Sequence, residues 1–339
     1  MNKKKYIKKM ISLTLAILLL LTASSCNDGE EEVSVPKIAY IKDVNGYSVG
    51  SEEKIRKTED FLSEYTFKLD YIETKTVNDA GDNAIKALNN DYNLVFATSY
   101  TTSKALADNV SATVSSTVLT VGYDFNNENV HSIVLKFEES AFFGGVIAVA
   151  ESKTKKIAYL GGYQDDASLP IEFGFYTGAN AVDSKVKITS RYVKSFNNPA
   201  AAKKIVEELI ADGVDVVFTN CGASALGIIE ADTENKLKVI CSIDYQLDDP
   251  RVIAYLKSDI EPAANEILGR FLEDGDLLEQ SYIYGYLDGV FTFDTVRVSE
   301  EGKAILSNYM TKFYDASGSL VIPKNESEFK NFNYRVINN

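Results

Sequence analysis

From Lys37 onward, short apolar runs alternate with amphipathic stretches. "KIAYI" (37–41), "LDYIET", "NLVFAT" and "VLTVGYD" have the length and the β-branched or aromatic content of buried strands. Helical patterns over 51–65 and 78–89 lie between them. The plan then recurs: "KIAYL" (156–160) echoes "KIAYI", "VDVVFTN" echoes "YNLVFATS", and "KVICSID" echoes "VLTVGYD". Strands alternating with helices predict βαβ units and parallel sheets, so the chain reads as two successive α/β halves.

The connecting helices carry their own start and stop signals. In "NPAAAKKIVEELIADG", Ile205, Val206, Leu209 and Ile210 share one face, and Lys203, Lys204, Glu207 and Glu208 share the other. Asn198 is the predicted N-cap, Pro199 suits the first turn, and Gly213 closes the helix. "EESAFFGGVIAVAESK" is apolar nearly all round, which predicts a buried helix leading from the first half to the second. After Asp244 the pattern is less regular. "PAANEILGRFLEDG" is a helix, and "YIYGYLDGVFTF" reads as strands with a turn at Asp288 and Gly289. The chain is expected to cross between halves more than once here. The expected division is 36–152 with 253–280 in one lobe, and 153–252 with 281–339 in the other.

The first 25 residues stand outside this pattern. Lys3, Lys4, Lys5, Lys8 and Lys9 precede an apolar run over 10–21, and "TASSC" follows, which is the layout of a secretory signal peptide. Cys26 after small residues resembles a bacterial lipobox, with Cys26 as the lipidated mature N-terminus. Residues 26–35, acidic and aperiodic, read as a flexible tether. Removing five lysines and no acid with the peptide would take the formal charge from −14 to −19. Nucleic acid is a poor partner for so acidic a chain. No later apolar stretch is long enough to span a bilayer. Cys221 and Cys241 both end apolar runs, and the sequence leaves open whether they bridge.

In open parallel sheets, ligands sit beyond the C-terminal ends of the strands. That selects Asp43, Asn45, Gly46, Tyr47 and Ser48; residues 98–102; Tyr123 and Asp124; residues 161–163; residues 220–224; and residues 244–246. Enzymatic chemistry is poorly supplied. His131 is the single histidine, which leaves little for a triad or a histidine-rich metal site. "GASALG" lacks the lysine of a phosphate-binding loop, and Cys221 has no evident base. Asp248 and Asp249 beside Pro250 read as a solvated turn. What remains suits a neutral hydroxylated ligand, and no cofactor is expected. Local roles compete at several positions. Asp124 and Asp244 are also natural caps, Phe175 a natural core residue, and Gly222 a natural turn glycine.

Several segments in order carry a resemblance: "FEESAFFGGVIAVAESKTKKIAYLGG", "IEFGFYTGANAV", "SFNNPAAAKKIVEELIADGVDVVF", "CGASALGIIEA", "VICSID" and "AYLKSDIEPA". Over 37–286, and most clearly over 137–260, the chain resembles the basic membrane protein (BMP) family of PnrA-like purine-nucleoside-binding lipoproteins of ABC transporters. The resemblance implies a type I periplasmic-binding-protein fold, with two parallel-sheet lobes joined by a hinge. It implies a non-enzymatic solute-binding protein that holds a purine nucleoside in the inter-lobe cleft and serves a membrane permease. The protein would be a monomer, lipid-anchored on the extracytoplasmic face of the cell membrane. Alternatives are a flavin or sugar-like solute, or a chemosensory lipoprotein of the same fold. Position by position, Asp43 lies in the first ligand loop, Tyr47 stands at a base-stacking Phe and Ser48 at an Asn. Asp124 is implied to meet the purine edge, Gly222 to shape the second-lobe turn, and Asp244 to take ribose hydroxyls near Lys257. Phe175 is the expected second aromatic wall.

Overall fold

The computed structural model describes residues 35–42, 63, 65–242, 247–316 and 322–331. The first sheet is built from β1 (Lys37–Ile41), β2 (Lys68–Ile72), β3 (Leu94–Ala97), β4 (Thr117–Gly122) and β5 (His131–Leu135), with β11 (Ser281–Tyr284) added at its edge. The second contains β6 (Lys156–Gly161), β7 (Lys187–Tyr192), β8 (Val216–Asn220), β9 (Lys238–Cys241), β10 (Val252–Ser258) and β12 (Phe291–Asp294). Their orders are β11-β5-β4-β3-β1-β2 and β12-β10-β9-β8-β6-β7. The same plan is used twice, with one difference. β11 joins β5 in parallel, whereas β12 runs antiparallel to β10.

Helices α1 (Asp79–Leu88) and α2 (Tyr100–Asn109) belong to the first half. The second uses α3 (Phe137–Glu151), α4 (Leu169–Val182), α5 (Pro199–Ala211), α6 (Leu226–Ala231) and α8 (Glu300–Asp315). α7 (Glu261–Asp274) joins β10 to β11, and α9 (Glu326–Asn331) follows α8. The predicted caps are present. The Asn198 side chain accepts from Ala201 N at 3.0 Å, Pro199 is the first helical residue, and Gly213 has φ +84°. α3 is buried on all sides, and only Ala150 of its residues is not fully enclosed.

The chain passes between the sheets after β5, after β10 and after β11. Strand membership is offset from the expected lobe limits. Residues 252–258 form a strand of the second sheet, and residues 281–284 return to the first. The expected turn is present as a 3-10 turn at Tyr286–Asp288 closed by Gly289 at φ +78°. It does not make a hairpin, because β11 and β12 pair with different sheets.

The main apolar core takes residues from both sheets, among them Ile38, Leu119, Ile157 and Phe218, together with α3, α4, α7 and α8. A second core lies between the other face of the second sheet and α5 and α6, and a third between the first sheet and α1 and α2. α3 and α4 meet backbone to backbone. A Cβ on Gly145 would strike the carbonyl oxygen of Phe175. One on Gly174 would strike that of Glu138, and one on Gly178 that of Phe142. No helix among the described residues is long and apolar enough to cross a membrane.

Candidate functional site

Ligands of open parallel sheets collect where the strand order reverses. In the second sheet that point lies between β6 and β8, since β7 is on the far side of β6. Phe196, from the β7–α5 connection, lies across it. Its ring covers Gly162, just beyond β6, where a Cβ would run into the ring. Its main chain rests on Gly222, just beyond β8, where a Cβ would come 2.9 Å from the Phe196 carbonyl oxygen. Gly222 has φ +55°, a left-handed conformation that glycine adopts without steric cost. Tyr163 meets Phe196 edge to face with ring centroids 5.3 Å apart. The two side chains are 44% and 46% exposed, so this pair faces outward.

The "NCGASALG" segment holds the platform in place. Residues Gly222–Ala225 form a 3-10 turn leading into α6. Ser224 N donates to the Phe196 carbonyl at 3.1 Å. Ser224 Oγ accepts from Asn198 N at 2.8 Å and donates to the Ser195 carbonyl at 3.0 Å. Residues 195–198 thus pack directly against this turn. Beside it, Asn220 Nδ2 donates to the Tyr159 hydroxyl at 3.3 Å, and Asn220 Oδ1 accepts from Ser242 Oγ at 3.1 Å. These two bonds fix the orientation of the amide.

At the other end of the β6–α4 connection a groove of about 800 Å³ opens between the two halves. Gly122 and Leu135, at the ends of β4 and β5, border it on one side, and Asp166 and Pro170 border it on the other. Tyr100, Tyr123, Phe125 and Phe137 supply its aromatic lining. Tyr100 packs edge to face on Tyr123 at 5.0 Å. Burial, and then the nearby Asp165 and Asp166 charges, push its phenol above the usual range. Glu138, in the first turn of α3, is also held above its usual value. Burial is the main cause, and Lys324 at 3.3 Å offsets it only in part.

The expected site residues meet different fates. Asp124 lines the groove, but its Oδ1 accepts from Asn126 N at 2.8 Å and its Oδ2 from Ser281 Oγ at 3.4 Å, so it also shapes its own turn. Lys257 pairs with Asp294 of β12 at 3.2 Å. Gly222 supports Phe196 as described. Phe175 is corrected: it is fully buried on α4, 5.0 Å from Phe218 and 6.2 Å from Tyr159, and cannot wall a cleft. Asp43, Tyr47, Ser48, Asp244 and Cys26 lie outside the described residues. Phe196 was missed because it sits in an aperiodic loop. Its one local signal is an aromatic just before a Pro-led helix start.

Nucleophilic chemistry finds little support here. Cys221 and Cys241 are buried and free, and burial pushes their thiols up to about 12 and about 11. His131 sits on β5 with Nδ1 2.8 Å from the Glu279 carbonyl. No group of three or more His, Cys, Asp or Glu among the described residues is placed to hold a metal.

Residues 44–327 match a family described as ABC transporter substrate-binding protein, PnrA-like. The chain belongs to this family. Among curated relatives of this PnrA-like protein, basic membrane protein D of Borreliella burgdorferi (strain JD1) is 27% identical over 234 residues, which cover 67% of each chain. Basic membrane protein A of Borreliella afzelii is 26% identical over 219 residues, 60% of this chain and 64% of that one. The ABC transporter nucleoside-binding protein BmpA of Lactococcus lactis subsp. cremoris is 31% identical over 173 residues, 50% and 48% of the two chains. The chain therefore spans about two thirds or less of the length of these relatives. An ABC transporter solute-binding protein of Aeropyrum pernix K1 has a similar structure, with TM-score 0.70 at 14% identity, over 87% of this chain and 96% of that one. A sugar transporter of Clostridium phytofermentans (TM-score 0.59, 14%, 77% and 99%) and the transcription regulator CcpA of Lactococcus lactis (0.58, 13%, 79% and 100%) share the fold as well. That range of proteins shows the type I periplasmic-binding architecture, and no more than the architecture.

Proposed function

We propose that the protein captures a purine nucleoside, or a solute of similar heterocycle-and-sugar chemistry, between its two halves and delivers it to an ABC permease. The observation that carries this reading is the Tyr163–Phe196 pair. Two large rings stand half exposed over the switch point of the second sheet, with Phe196 braced on Gly162 and Gly222. Such rings offer a stacking face to a planar ligand. The name of the Lactococcus lactis relative points to the same ligand class. Asp43, Tyr47, Ser48 and Asp124 are assigned to the heterocycle. Asp244 is assigned to the sugar hydroxyls, with Gly222 and Lys257 as further ligand contacts. Two lobes, each built on one sheet, close on the ligand because it contacts both. The protein works as a monomer on the extracytoplasmic face, anchored through an acylated Cys26.

Mass spectrometry of small molecules released on denaturing freshly purified protein is expected to find a nucleoside, and calorimetry with guanosine to show stoichiometric binding without turnover. Recovery of an unrelated solute with no response to guanosine or adenosine would overturn the ligand assignment. Cys26→Ala is expected to release the protein from the membrane fraction, and its retention there would count against the anchor.

A further inference from the structure

One polar side chain at the switch point is held in place and only half used. Asn220 ends β8, where it pairs with Gly161 of β6. The side chains of its neighbours Thr219 and Cys221 meet at 3.1 Å, and Cys221 belongs to the core under α5 and α6. Alternation along the strand therefore sends the Asn220 side chain to the opposite face, where Phe218 and Tyr159 lie. A Cβ on Gly161 would come 2.8 Å from the Tyr159 ring, so glycine there leaves the ring room beside the strand end.

The hydroxyl of the fully buried Tyr159 takes one Asn220 amide proton, and Ser242 Oγ donates to Asn220 Oδ1. A carboxamide has two N–H donors and two acceptor lone pairs. The second N–H and the second lone pair have no partner among the described residues, and the side chain is only half-buried.

Resting on the nucleoside reading above, we propose that Asn220 is a specificity-determining residue: its free donor and acceptor pair with a neighbouring acceptor and donor on the edge of the bound heterocycle. An amino group beside a ring nitrogen, as in adenine, presents such an edge. So does a carbonyl beside a ring N–H, as in hypoxanthine. Carboxamide side chains read edges of this kind with two bonds at once. The Asn220 carbonyl accepts from Gly162 N at 2.9 Å, and the Phe196 ring covers Gly162, so the amide and the stacking ring share one switch point. Because Tyr159 and Ser242 already orient the amide, little further ordering is needed when a ligand arrives. A heterocycle without the matching group would leave the amide unpaired.

The test compares adenosine with purine riboside, which has hydrogen in place of the 6-amino group, by calorimetry on the wild type and on Asn220→Leu. The leucine keeps the approximate size of the side chain and removes both polar groups. The wild type is expected to bind adenosine about tenfold more tightly, and in Asn220→Leu that ratio should contract several-fold. A change that only loosens the fold or the stacking weakens both ligands alike and leaves the ratio in place. Tyr159→Phe keeps the buried ring and removes the hydroxyl that orients the amide, so it should contract the ratio part-way. If the leucine prevents folding, as circular dichroism would show, the Tyr159→Phe ratio decides in its stead. Equal affinity of the wild type for the two ligands, or a ratio unmoved by the deciding variant, overturns this inference and leaves the nucleoside reading standing. Failure of both ligands and of guanosine to bind the wild type removes that reading and this inference with it.

Discussion

The α3–α4 contact and the rim above β6 and β8 both depend on glycine, but different groups approach the glycine in the two places. At Gly145, Gly174 and Gly178 the neighbour is a helix carbonyl, fixed by its own hydrogen-bond ladder within the largest core. At Gly162 it is the half-exposed ring of Phe196, which has solvent to move into. A close approach to rigid backbone underwrites stability. The same approach to an exposed ring sets the shape of a surface. Glycine by itself does not say which.

The contrast is broken most forcefully at Gly178. Gly178→Ala puts a methyl group into the Phe142 carbonyl and forces the helices apart, so a loss of about 3 kcal/mol or more is expected in denaturant unfolding. Stability within about 1 kcal/mol of wild type would show that the helices can separate cheaply, and the contrast would fail.

A charge at the end of α3 gives the next largest effect. Burial tends to raise the Glu151 carboxyl. Bonds from Lys238 Nζ at 2.5 Å, Ser299 Oγ at 2.5 Å and Ser299 N at 2.8 Å outweigh it and hold the group below its usual range. A carboxyl depressed in the folded state stabilises above its unfolded value, and that stability is lost as pH falls through the folded value. Glu151→Gln should cost about 1.5–3 kcal/mol at neutral pH, the range for a hydrogen bond to a charged group, and should flatten the acid limb of the stability profile. An unchanged acid limb in pH-dependent melts would count against it.

On the rim the effect is read in affinity rather than in stability. Phe196→Ala should weaken nucleoside binding by about 1–3 kcal/mol, the range for one aromatic stacking contact, with little change in melting temperature. Gly162→Ala sharpens the comparison further. Its methyl meets the ring first, so stability should move by less than about 1 kcal/mol, while affinity falls several-fold as the ring is displaced. A loss of stability as large as that of Gly178→Ala would mean the rim is as rigid as the helix pair.

Much of this fold can be read along the chain, because burial leaves a period. The alternation of strands and helices, the Asn198 cap, the left-handed Gly213 and the all-round apolar α3 are each local consequences of local sequence. The repeat of "KIAYI" as "KIAYL" placed β1 and β6 at matching positions of two like sheets. The site was less legible. Phe175 and Phe196 are both aromatic residues of the second half, and nothing in their immediate neighbours says that one packs under Phe218 and the other lies open over β6 and β8.

Sequence alone thus determined the α/β halves and the caps, since each follows from hydrophobic period or backbone preference within a few residues. Tertiary structure decided that β11 and β12 part to different sheets. It also decided that Gly222 accommodates Phe196, and that Asp124 is tied to Asn126 and Ser281. These outcomes depend mainly on contacts between residues far apart in the chain, and no local pattern encodes which distant group will arrive.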